Sequence, residues 1–151
     1  MFSWYLVLKY VHILAAIVAV GANITYGVWS ARIAREPASA SFALKGIKFL
    51  DDRIANPAYG VLFLTGLILI FAGHFGLQLW IVVAIVLFIA IAVLGFAIFT
   101  PLLRDQIRLV DAGEVASPAF TRLANRSRTL GPILGLLVLV ILVMMVFKPT
   151  L

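Results

Sequence analysis

The 151-residue chain contains no cysteine. Disulfides, thiolate nucleophiles, zinc–cysteine sites and cysteine-ligated clusters are therefore excluded. Charge is also scarce: 12% of residues are charged, against about 25% in an average soluble domain. The acids number six, Glu36, Asp51, Asp52, Asp105, Asp111 and Glu114, and none falls inside a long apolar run. Histidine occurs twice, at His12 and His74. The sequence holds no phosphate loop, serine triad, zinc-binding helix motif or carboxylate pair within an apolar stretch. These absences remove most soluble-enzyme chemistries. What is present is apolar, 64% of the residues. A soluble domain of this size leaves roughly a third of its unfolded surface in water, so this excess needs lipid to face.

A spanning helix takes about 20 predominantly apolar residues. Four such stretches are predicted, at about residues 4–30, 57–73, 77–103 and 130–147, joined by charged loops at about 31–56 and 104–129. The first stretch exceeds the apolar region of about 7–15 residues of a signal peptide and has no basic segment before it. It is read as a retained helix. Gly73-His74-Phe75-Gly76 forms a tight turn between the second and third spans. The expected fold is an all-α, integral membrane four-helix bundle making one transmembrane domain over 1–151.

Net charge is +6, which in a soluble protein would suggest nucleic acid. The location of the charge decides otherwise. Arg32, Arg35, Lys45, Lys48 and Arg53 lie in the first loop, and Arg104, Arg108, Arg122, Arg126 and Arg128 in the second. With four spans both loops fall on one side. The positive-inside rule makes that side cytoplasmic and puts both termini and His74 outside. The expected setting is a prokaryotic cytoplasmic membrane. Expected partners are the lipid bilayer and either a second copy or another membrane subunit, with no role for nucleic acid. Within the first loop, Phe42, Leu44, Ile47, Phe49, Leu50 and Ile54 stand among lysines and aspartates over 41–54, the pattern of a short interfacial amphipathic helix. Residues 104–110 extend the third helix, and 118–128 form a second interfacial stretch.

The halves share a weak repeat at an offset of 75 residues. Arg53, Pro57, Gly60 and Thr25 recur as Arg128, Pro132, Gly135 and Thr100. Proline at a helix's first turn loses no needed hydrogen bond, so Pro57 and Pro132 are expected to mark matching helix starts. The repeat would be parallel, about an axis along the membrane normal.

Ionisable groups inside a membrane are functional by default. Lys9 and His12 are three residues apart and share a helix face. Lys9 is shallow enough to snorkel to the headgroups. His12 lies about 12 Å from Trp4 at roughly 1.5 Å per residue, too deep to escape. It either hydrogen-bonds within the bundle or ligates a cofactor. His12, His74 and Met144 all fall in the outer half, and imidazole with thioether forms a copper-type ligand set. His74 is one to two helical turns shallower than His12. Asn23, Thr25 and Tyr26, with Gly21 and Gly27, are read as close helix packing, as is Thr65-Gly66. Trp4, Trp80 and Trp29 fit aromatic belts.

Leu8-Lys9-Tyr10-Val11-His12-Ile13, Asn56-Pro57-Ala58 with Thr65-Gly66, and the ending Phe147-Lys148-Pro149 resemble the copper-resistance D-like and HemJ-type membrane proteins. Within that group the chain resembles an uncharacterised branch, a domain-of-unknown-function family of predicted integral membrane proteins. The resemblance covers nearly the whole chain. It implies haem b with His12 as axial ligand; Lys9 and His74 are the further cofactor-binding candidates by position. It departs in the third helix. Where HemJ-type proteins carry tryptophan–leucine–histidine–valine–lysine, this chain has Trp80-Ile81-Val82-Val83-Ala84. Both polar positions are apolar, so protoporphyrinogen oxidation is not implied, whereas haem binding is. Three functions are carried forward: haem or porphyrin binding through His12, copper transport or delivery through His12, His74 and Met144, and a non-catalytic membrane subunit or scaffold.

The topology is testable by reporter fusion. Alkaline phosphatase fused after Pro149 should be active and a fluorescent protein there dark, with the opposite pattern for insertion at Gly113; reversal of either pair overturns the orientation.

Overall fold

The computed structural model describes residues 3–149, and these contain helices and no strand. Helix α1 runs Trp4–Arg35. After a 3-10 turn at Pro37–Ser39, α2 covers Ala40–Leu50 and α3 covers Asn56–Ala72, with a π-helical turn at Asp51–Ala55 between them. The second half has α4 at Leu79–Leu94, a π-helical turn at Gly95–Phe99, α5 at Thr100–Asp111 and α6 at Pro118–Phe147. Four continuous helical runs result, at Trp4–Arg35, Pro37–Ala72, Leu79–Asp111 and Pro118–Phe147, each long and apolar enough to cross a membrane. In none is more than 17% of its apolar window buried in the protein. Helices apolar on all sides and buried so little have lipid as their matching solvent.

The helices outrun the expected spans. At 1.5 Å per residue a 32-residue helix is about 48 Å long, well beyond a hydrocarbon core of about 30 Å. Hydropathy marks only the part that lies in lipid. The charged stretches expected as loops at 31–56 and 104–129 are therefore largely helical, because the prolines where the chain leaves the apolar zone widen the helix without ending it. We call this the basic end, and the opposite one, which carries His74, the turn end.

Both π-turns have a local cause. Each ends two residues before a proline, Pro57 or Pro101. A proline has no N–H for the carbonyl four residues back and crowds it, here Arg53 and Ala97. The chain widens instead, with Asn56 N–H donating to the Asp51 carbonyl and Thr100 N–H to that of Gly95.

Pro132 corrects an expectation. It does not start a helix but lies inside α6, which begins at Pro118, where the Ser117 side chain accepts from Phe120 N–H at 3.1 Å. Ser-Pro is the stronger start signal, because serine caps the free N–H groups and proline at the first position needs none. The element bounds nevertheless recur 75 residues apart, from Trp4 to Leu79 and from Ala72 to Phe147. The closest packing is α1 on α3 and α4 on α6, one pair in each half.

The buried core gathers at the basic end. Ala22, Tyr26 and Ile33 of α1 meet Ala40, Ala43, Leu44 and Ile47 of α2, Leu103 of α5 and Phe120 of α6. Helix α2 thus buries one apolar face against protein. Phe42 and Phe49 lie on the other side, exposed, so the apolar set expected to form a single interfacial face is split between two. At the turn end, His74 and Gly76 adopt positive φ, 52° and 64°, and Lys148 Nζ lies 5.5 Å from the Phe75 and Trp80 rings. That cation–π contact ties the end of α6 to the turn.

Ile47 is 2% exposed, so Ile47→Ala should cost about 2–5 kcal/mol. Phe49→Ala should cost within about 0.5 kcal/mol. Thermal unfolding of the detergent-solubilised variants checks this; equal losses would contradict the packing.

Candidate functional site

At the turn end, α1 and α3 place His12 against Thr65 and Gly66. Thr65 Oγ1 donates to the Val61 carbonyl at 2.6 Å, with Leu62 O at 3.2 Å. Its single proton is therefore committed to its own helix. His12 Nδ1 stands 2.9 Å from the same oxygen; in the tautomer with the ring proton on Nδ1, the imidazole donates to it. Nε2 is then the nitrogen with the free lone pair. The imidazole lies close to the α3 backbone, since a methyl group on Gly66 would stand 3.1 Å from His12 Cε1. Thr65 is buried and His12 half-buried. Of the close packing expected for glycines in the apolar stretches, Gly66 is the clear case.

The remaining expected site residues are dispersed. Lys9 is exposed on α1, one turn outward from His12. His74 is exposed in the turn, and Met144 is half-buried near the end of α6, its carbonyl accepting from Lys148 N–H. Among the described residues no hydrogen bond joins His12 to Lys9, His74 or Met144, and no group of three or more His, Cys, Asp or Glu side chains forms a metal-binding cluster.

A second polar region lies at the basic end around a cavity of about 1180 Å³. Its walls come from all six α-helices and the two π-turns. Asn23 Nδ2 donates to Tyr59 Oη at 2.5 Å, and Tyr26 Oη approaches Asp51 Oδ1 at 3.4 Å. Gln106 Nε2 donates to Ser127 Oγ at 2.7 Å and reaches the Leu102 carbonyl at 3.3 Å. Asp51 and Gln106 are buried. His12 is not part of this wall, so the two regions are separate.

Sequence reasoning took Asn23 and Tyr26 as packing residues and passed over Asp51, Tyr59 and Gln106. The usable signal was Asp51-Asp52 followed by Asn56 and Tyr59. At helical spacing, positions 51, 55 or 56, and 59 share a face, and that face puts a carboxylate in line with a phenol at the mouth of a span. Gly21 and Gly27 also differ from expectation, because nothing lies within 4 Å of a Cβ placed on either.

Comparison with the curated proteins and with the solved structures finds no match. A family model matches residues 6–149, a range that includes both polar regions. The four lipid-length helices agree with that family's description, and the chain belongs to the family described as predicted integral membrane protein (DUF2269).

Proposed function

We propose that this protein is a multi-pass protein of a prokaryotic cytoplasmic membrane, with both termini outside, that binds haem b or a related porphyrin through Nε2 of His12. The basic residues at one end of the bundle support the orientation. The observation that carries the ligand assignment is the Thr65 hydroxyl, whose proton is engaged by Val61 and whose oxygen meets His12 Nδ1. An imidazole that ligates iron needs its other nitrogen held by an acceptor, which fixes the tautomer and the ring orientation. Thr65 does this with a neutral group, so it adds no charge to the apolar zone.

The residues present suit the group in three respects. His12 offers a neutral imidazole, Gly66 lets the ring sit close to α3, and Lys9 provides a cation one turn outward on the same face for a propionate. When bound, haem supplies one-electron chemistry. The protein orients the imidazole and keeps its surroundings apolar. The resemblance of Lys9-x-x-His12 to the haem-ligating opening of HemJ-type proteins supports the same reading.

Purified protein supplemented with haem should show a Soret band. His12→Ala should abolish it, Thr65→Val should weaken haem affinity by about 10–100-fold, and Thr65→Ser should retain it. A supplemented wild-type protein without a Soret band, or an unchanged spectrum in His12→Ala, overturns the proposal.

A further inference from the structure

The basic-end cavity has features that helix packing does not explain. Five glycines, Gly27, Gly60, Gly95, Gly131 and Gly135, line it, and none has any atom within 4 Å of a Cβ placed on it. Small residues in membrane helices ordinarily let two backbones approach; these leave space. Along α1 the wall runs from Val20 to Ala31, about 16 Å at roughly 1.5 Å per residue, or half of a hydrocarbon core of about 30 Å. One leaflet of lipid has that depth. The chemistry is graded over the same distance. Phe63, Phe88 and Leu139 line the deep part, whereas Asp51, Gln106, Ser127 and Arg128 sit where the helices reach the basic end.

The wall carries two charges, the buried Asp51 and the exposed Arg128. Asp51 is 7% exposed, yet its hydrogen bond from Tyr26 is 3.4 Å long, beyond the usual O–H···O range of about 2.5–3.0 Å. Asn56 also hydrogen-bonds it, and Lys48 stands near but pairs with Asp52, so Asp51 has neutral donors and no cation of its own. A buried carboxylate needs donors or a cation. Arg128 belongs to neither of the ion pairs among the described residues.

We infer that this cavity binds an aminophospholipid drawn from the leaflet at the basic end, its primary ammonium on Asp51, its phosphate on Arg128 and its acyl chains along the apolar wall. A zwitterionic head answers both charges. An anionic lipid would bring its charge against Asp51, and a simple alkylamine would leave Arg128 unmatched and facing a like charge. A choline head has no N–H for the carboxylate. The volume is slightly above the range of about 300–1,000 Å³ for small-molecule sites, enough for a headgroup and the first part of two chains. The site lies at the end opposite His12 and does not rest on haem binding.

The test is native mass spectrometry of the full chain in nanodiscs of equal phosphatidylethanolamine, phosphatidylglycerol and phosphatidylcholine. Wild type should retain one phosphatidylethanolamine after detergent release. Asp51→Asn and Arg128→Gln should each lower that retention roughly tenfold or more. Gly60→Leu fills the space with both charges intact and should lower it as much, with thermal unfolding at the wild-type temperature. Equal retention of the three lipids, or unchanged retention in Gly60→Leu, would mean lipid held on the outer surface only and would overturn the inference. If Asp51→Asn does not fold, the Arg128→Gln and Gly60→Leu results decide.

Discussion

Lipid cannot hydrogen-bond a backbone, and the rest of this structure depends on that. Each N–H and C=O in the hydrocarbon zone must be satisfied within its own segment, so a chain of this composition crosses as helices. The constraint also explains how the prolines are accommodated. Pro57 and Pro101 each remove a donor near the basic end, and a π-turn before each redistributes the remaining bonds. Thr25 and Thr65 turn their hydroxyls back onto carbonyls of their own helices. Thr65 then makes further use of that bond, because a hydroxyl that has already given away its proton can only accept from His12.

Where water returns, the packing changes. The buried cluster of Ala22, Tyr26, Ile33, Leu44, Ile47, Leu103 and Phe120 lies at the basic end, where apolar burial is rewarded because water is the alternative. In the lipid zone no such difference drives helices together, and contact relies on close fit and polar bridges. The α1–α3 pair has the His12–Thr65 bridge and the bare Gly66 backbone. Between that pair and α4–α6 the fit is loose toward the basic end, and the cavity occupies the gap.

Each polar region is built by residues from distant parts of the chain. His12 meets Thr65 across 53 positions, Asn23 meets Tyr59 across 36, and Tyr26 meets Asp51 across 25. A single helix shows only which residues share a face. His12 was therefore recognisable as an ionisable group within a span, but its partner is a threonine of another helix. Asp51 looked like one more loop acid, because its burial is created by α1 and by the π-turn that carries it.

The sequence by itself determined the class of solvent, the number of spans, the separation of charge to one end and the family. These follow from composition and from the free energy of placing each residue type in lipid, which local runs of sequence report directly. It also suggested a repeat of 75 residues, of which two pairs of element bounds recur at that offset while the matching proline starts do not. Tertiary structure alone decided where the helices end, that Pro118 and not Pro132 begins α6, that His12 meets Thr65, and that five glycines surround space instead of a neighbouring helix. Those properties depend on which atoms of distant segments come within a few ångströms of one another, and neither hydropathy nor periodicity along one segment contains that information.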